Sequence, residues 1–226
     1  KRWIRIGLLI SALLTGVATL GTQSRGALVA IAAMGLAFVY RSPNRRKALG
    51  PFLVIALFVP FFMPESWWER MDSIINYEQD ASAMGRINAW KLAWNVALHN
   101  LFGGGFILET DEIFARYAPD PRAIHVAHSI YFQILGQHGF IGLFLFLGMW
   151  ISTWRTCRWI SMSSDLASDK MLARMIEVSL IGYAVGGAFL NLAYFDGPYY
   201  LMVALMVIRY KIMNNLPAPT TSPIPN

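Results

Sequence analysis

The sequence predicts an all-α fold: a polytopic transmembrane helix bundle carrying one large helical loop outside the membrane. Three observations predict it. Hydrophobic residues make up 56% of the chain and charged residues 14%, where a soluble domain carries charge on about a quarter of its residues. The apolar residues cluster in blocks rather than at one-face helical spacing, as expected where lipid surrounds a helix. Between two groups of blocks lies the stretch 64–139, which holds every histidine, nine of the thirteen acidic residues and five of the nineteen Lys and Arg. A chemically equipped loop of that length reads as the working part of the protein, not as a connector.

Five blocks are long enough to span, or nearly so: 4–20, 27–40, 49–63, 140–154 and 175–192. A sixth, 199–208, is short. A hydrocarbon core takes about 20 apolar residues in a helix, so several blocks must recruit flanking residues or tilt. Pro51 and Pro60 are expected to start and stop the third span, because proline suits a first turn and breaks an interior. The domain plan is about three membrane helices in 1–63, the loop 64–139, two or three further membrane helices in 140–213, and a disordered tail at 214–226. The end of the chain is rich in Pro, Thr and Ser, a composition that cannot build a core. The chain begins at Lys1 with neither a methionine nor a signal-peptide cleavage pattern, and reads as the C-terminal part of a longer membrane protein.

Orientation follows from the basic residues. With the N-terminus in the cytoplasm, one side receives Lys1, Arg2, Arg5, Arg41, Arg45, Arg46, Lys47, Arg155, Arg158, Lys170, Arg174, Arg209 and Lys211. The other receives Arg25, Arg70, Arg86, Lys91, Arg116 and Arg122. The excess fits the positive-inside rule and turns the large loop outward, into the periplasm if the membrane is a bacterial inner membrane. A net charge of +6 would point a soluble chain toward nucleic acid; here it is absorbed by topology, and no nucleic-acid partner is expected. The single cysteine, Cys157, lies on the inner side, so no disulfide orders the loop.

Within the loop, Trp67 and Trp68 beside Met63 are the amphipathic aromatics of a membrane interface. Residues 82–100 read as a helix, with Ile87, Trp90, Lys91, Trp94 and Leu98 at three- and four-residue spacing, capped by Asp80 or Ser82 and ended by Gly103-Gly104-Gly105. The acidic, proline-punctuated stretch 109–122 reads as irregular. Residues 125–137 read as a second helix running through Gly139 into the fourth span.

Three polar residues then stand out. Arg25 interrupts two apolar blocks at their outer ends, where an arginine is costly unless it snorkels, pairs or binds an anion; the plainer reading is a snorkelling residue in a turn. Arg86 falls in the first turn of the first loop helix. A cation there opposes the helix dipole, whereas helix N-termini and arginines both attract phosphate; alone, it would be a solvated surface residue. His128 can accept a hydroxyl proton near neutral pH, or can be a hydrogen-bonded core histidine. Tyr131, one turn on, suits either role. His125 is too close to His128 for a helical zinc pair, and with neither HExxH nor CxxC present no metal site is expected. His99 and His138 sit at predicted helix ends and read as caps.

Ser24-Arg25-Gly26, Gly85-Arg86 with Trp90, Phe102-Gly103-Gly104-Gly105, and His128-Ser129 followed by Gln133 and Gly139-Phe140-Ile141-Gly142 together resemble the O-antigen ligase and polymerase superfamily. The run from Tyr117 through Pro121 to His125-Val-Ala-His-Ser-Ile-Tyr-Phe-Gln133 is most similar to the O-glycosylation ligases associated with exosortase A. The resemblance covers roughly 6–207, and it implies about twice as many spans as this chain carries, with the N-terminal half of the same protein missing.

It implies a GT-C-like, metal-independent and cofactor-free glycosyltransferase. Such an enzyme moves a glycan from a polyprenyl pyrophosphate carrier to an acceptor hydroxyl, on lipid or protein, at the periplasmic side. Arg25 and Arg86 would bind the pyrophosphate and His128 would be the general base, with inversion at the anomeric carbon. Arg116 and Arg122 could add positive charge; Tyr131 and Gln133 are secondary candidates for orienting His128 or the sugar. A repeat-unit polymerase has the same donor chemistry and stays open. A transporter or flippase ranks last, because ionisable groups such as Arg5, Arg174 and Glu177 fall at or near span ends. A purely structural membrane subunit would leave Arg25, Arg86 and His128 on one side without a reason.

Overall fold

The computed structural model describes residues 2–22, 24–42, 44–58, 61, 63–65, 67–68 and 81–214, whose regular elements are helices with no strand among them. The helices are α1 (Arg2–Gly21), α2 (Arg25–Arg41), α3 (Arg45–Phe58), α4 (Ala81–His99), α5 (Asp111–Tyr117), α6 (Ile130–Ser163), α7 (Ala167–Gly187) and α8 (Asp196–Met213). Each apolar block overlaps one of them. Two helical stretches are long and apolar enough to cross a membrane, Arg2–Thr19 and Ile130–Ser163. Arg70, Asp80, Pro60 and the tail beyond Asn214 lie outside the described residues.

Several local expectations are corrected. α3 begins at Arg45, so Pro51 does not start it. Ser82 lies inside α4 rather than capping it. The stretch 109–122 is not wholly irregular: the Thr110 hydroxyl accepts the Ile113 N–H and Asp111 and Glu112 fill the first turn, which together nucleate α5. α6 starts at Ile130, so His125 and His128 precede the helix and do not share a helix face.

α2 packs antiparallel on α7 through small residues. Gly26 lies against Phe189, Ala30 against Gly186 and Met34 against Gly182, a close approach that suits helix pairs in lipid. The seam ends where Arg41 pairs with Glu177, which also accepts from the Trp154 indole. Glu177 is buried in mid-α7, with its charge matched by the last residue of α2. This register puts Arg25 and Arg41 at opposite ends of α2, about 24 Å apart at 1.5 Å per residue.

One end of the bundle closes around Cys157, Ile160, Ala173, Ile176, Leu180, Leu205 and Ile208 of α6, α7 and α8. At the other end, α4 lies on the first turns of α6, while Leu92 and Val96 meet Leu108 and Phe114 beneath α5. α6 kinks at Gly139 (φ 66°, ψ −166°), a conformation close to glycine-only. The kink frees two carbonyls, and the glycine-rich loop takes them: Gly104 N–H donates to Gly136 O at 2.8 Å and Gly105 N–H to Gln137 O at 3.1 Å. The loop glycines thus stitch to α6; α4 has already ended at His99. A Cβ on Gly139 would sit 2.0 Å from Leu101 O. Gly139→Ala is expected to destabilise the fold by about 3 kcal/mol or more, seen as a lower thermal unfolding midpoint in detergent. An unchanged midpoint would mean that the kink is not a feature of the native state.

Candidate active site

The segment between α5 and α6 runs without helix because α4 captures its backbone. The buried Asn88 amide donates to Asp120 O (2.8 Å) and Ala123 O (3.1 Å) and accepts the Asp120 N–H (2.9 Å). Trp90 Nε1–H donates to Ala127 O at 2.6 Å, and its ring stacks on Phe132 at 5.0 Å. Gly85 lets the His125 ring sit where a side chain would begin, 2.9 Å from an ideal Cβ. One helix thereby holds residues 120–127 at three points and delivers His128 at the entrance to α6.

His128 has φ 45°, the one positive φ among the described non-glycine residues. The left-handed region costs an L-residue roughly 1–2 kcal/mol, and that cost is met by the clamp on either side. Burial lowers the His128 pKa from its usual 6.5, and the positive charges of Arg86 and His125 lower it further. The imidazole is therefore neutral at physiological pH and able to accept a proton.

Arg86 is the sixth residue of α4, beyond the first turn, so the helix dipole acts on it only weakly. Its Nε is buried and has no hydrogen-bond partner among the described residues. Buried donors are rarely left so, and an anionic oxygen would satisfy it. Arg86, His128 and His125 thus form one electrostatic group. Arg25 reaches the same end of the bundle by another route: its neighbour Gly26 lies on Phe189, and Gly187 lies on Ile130, two residues past His128. Ser24 caps α2 just before it, accepting the Ala27 N–H at 3.3 Å.

The other candidates are placed differently. Tyr131 O–H donates to Ala184 O at 2.7 Å, and the buried Gln133 Oε1 accepts the Ala193 N–H at 3.1 Å; both tie the start of α6 to α7 and the segment after it. Arg116 is exposed, with its guanidinium over Tyr117. Arg122 is exposed as well, its backbone N–H donating to Asp120 Oδ1. His99 Nδ1 meets Asn95 O at 2.8 Å, a helix-end contact, whereas His138 pairs with the Tyr194 hydroxyl at 2.7 Å and caps nothing. Trp67 is buried and Trp68 half-exposed.

Sequence reasoning missed three residues. Asn88 is the polar residue on the buried face of α4, in line with Gly85 and Leu92, and that break in an apolar stripe was its signal. Lys91 lines two open clefts, one of about 410 Å³ shared with Gly85, Asn88 and His125, the other of about 430 Å³ shared with Trp90, Trp94 and Phe132. Asn191 Oδ1 is buried without a partner among the described residues, in a small cavity beside His125 and Ala127, and it had no signal in one dimension.

Trp90→Phe keeps the stack on Phe132 and removes the bond to Ala127. It is expected to slow turnover by about tenfold, through misplacement of His128, with little effect on stability; assays of the purified variant would show it. Full activity would remove Trp90 from the positioning of the loop.

No curated protein and no solved structure matches the chain. A family model described as O-antigen ligase matches residues 10–147, a span that includes Arg25, Arg86, the glycine-rich loop, His128 and the Gly139 kink but stops short of α7 and α8. Proteins of that kind carry out ligase-like glycan transfer at membranes. With more than half of its length under this match, the chain belongs to the O-antigen ligase family, and is at family level a glycosyltransferase-type enzyme.

Proposed function

We propose that this protein is an inverting glycosyltransferase of the bacterial inner membrane that moves a glycan from a polyprenyl pyrophosphate carrier to an acceptor hydroxyl on the periplasmic side. The observation that carries the reading is the electrostatic coupling of Arg86, whose buried Nε has no partner among the described residues, to a His128 imidazole whose pKa is lowered. A cation free to take an anion and a neutral base within its field are what this transfer requires.

In the reaction the acceptor oxygen attacks the anomeric carbon and the bond from that carbon to the pyrophosphate oxygen breaks. The leaving diphosphate keeps the bonding electrons, and the acceptor proton passes to His128. Arg86 stabilises the charge that grows on the leaving oxygens, with Arg25 at the same end of the bundle as a second cation. Attack from the face opposite the diphosphate inverts the carbon. Trp90, Trp94 and Phe132 line a cleft whose aromatic faces suit sugar rings, and Lys91 at its edge suits an acidic or phosphorylated one. In this reading α1, α2, α3, α6, α7 and α8 lie in the membrane and α4 and α5 outside it.

Ligase and polymerase share this donor chemistry, and the match of residues 10–147 to the O-antigen ligase family model favours a ligase, with lipid or protein as acceptor. The test is made in the native host, comparing wild type with His128→Ala at matched expression. Long glycan accumulating on the carrier with bare acceptor is the expected result. Collapse to single repeats would indicate a polymerase, and two unchanged pools would overturn the catalytic role of His128.

A further inference from the structure

Residues 98–107 form an outward apolar surface in a region that should otherwise face water. Leu101 is 62% exposed, Phe102 76%, Phe106 67% and Ile107 72%, and 98–107 contains no Asp, Glu, Lys or Arg. In water a contiguous patch of this kind is a liability unless something covers it.

We propose that 98–107 is a membrane foot, seated in the outer headgroup and acyl boundary beside the point where α6 enters the bilayer. Continuity is the first argument. Gly103–Gly105 is bonded to α6 immediately before the Gly139 kink, and just past the kink α6 exposes Ile141, Phe144 and Leu145. Trp94 meets Phe140 edge-on at 5.3 Å and Phe106 meets His138 edge-on at 5.1 Å. The loop surface and the outer wall of the span are thus one surface.

Backbone satisfaction is the second. Non-helical chain tolerates the bilayer boundary only when protein supplies its hydrogen bonds. Gly103 N–H donates to Asn100 O at 2.8 Å, Gly104 and Gly105 donate to α6 carbonyls, and Phe106 O accepts from Gln137 Nε2 at 2.9 Å. The third is the belt beside it, where Tyr194 O–H donates to Gln137 Oε1 at 2.5 Å and His138 lies against the same hydroxyl. Such amphipathic rings favour headgroup depth. Seated there, the foot sets the height of α4, and with it Arg86 and the His128 clamp, above the lipid. The inference rests on α6 being a membrane span and not on glycosyl transfer.

The test places an environment-sensitive fluorophore on single cysteines at Phe102→Cys, Ile107→Cys, Glu112→Cys and Phe144→Cys, in a Cys157→Ala background. The full chain is reconstituted in phosphatidylethanolamine–phosphatidylglycerol vesicles. Labels at 102 and 107 are expected to be quenched by a lipid nitroxide near the headgroup, at a depth of about 5–10 Å into the boundary. The label at 144 should respond to a nitroxide deeper in the chain, and the label at 112 on α5 only to aqueous iodide. The two foot positions report independently, so loss of one variant to misfolding leaves the other. Quenching of 102 and 107 by iodide alone, by neither agent (a protein cover), or equally with 112 would overturn the foot. Failure of lipid quenching at 144 would overturn the span, and the foot with it.

Discussion

Replacing His128 with asparagine is expected to lower glycan transfer by about 10²–10⁴-fold with the fold intact. Position 128 has φ 45°, and asparagine enters the left-handed region more readily than most residues, so the turn into α6 survives. What disappears is a nitrogen able to take the acceptor proton near neutral pH. Alanine at the same position should cost the same activity and add backbone strain of about 1 kcal/mol. Together the two variants separate chemistry from scaffold. Transfer between purified lipid-linked glycan and acceptor in proteoliposomes measures the first effect, and thermal unfolding the second. Near wild-type turnover in the asparagine variant would remove His128 as a base.

Arg86→Gln is expected to lower kcat/KM for the donor by about 10²–10³-fold, the scale of losing one preorganised charge stabiliser. Lysine should recover part of this, since it restores the charge without the fork of donors. The same substitution acts on His128. The Arg86 charge is the second cause, after burial, of the lowered histidine pKa, so its removal raises that pKa toward 6.5. The sign for the fold follows: a histidine depressed in the native state resists protonation there more than in the unfolded chain, so its stabilising contribution is present above 6.5 and is lost as pH falls through the native pKa. Histidine chemical-shift titration of the two proteins reads the change, which a purely structural role for Arg86 would not produce. Unaltered donor kinetics would separate Arg86 from the pyrophosphate.

Apolar blocks announced the helices because lipid-facing segments need hydrophobicity on every side, and no fine periodicity is required to see them. Their ends were harder to read. α5 was signalled by Thr110, Asp111 and Glu112 before a short helix with Arg116 in its last turn, but Pro119 and Pro121 downstream drew attention to disruption. The false helix at 125–129 had the opposite cause: its local pattern permits helix, while Trp90, more than thirty residues earlier, takes the Ala127 carbonyl and Asn88 holds Asp120 and Ala123 just before it. Nothing near Glu177 in sequence marked its partner, because Arg41 lies 136 positions away. The candidate site was legible as residue types and motif order. The pairing of Arg86 with His128 depends on that long-range clamp and could be seen only in three dimensions.

The most direct measurement of the central claim is transfer rate against pH, from about pH 5 to 7, in reconstituted wild type and Arg86→Gln. The account predicts a wild-type rate that is flat above 6.5 and falls on one proton below it, in line with the lowered His128 pKa. In the slower Arg86→Gln protein the acid limb should move up toward 6.5. A wild-type limb at or above 6.5, or a limb that stays in place when Arg86 is removed, would contradict a base at His128 tuned by Arg86.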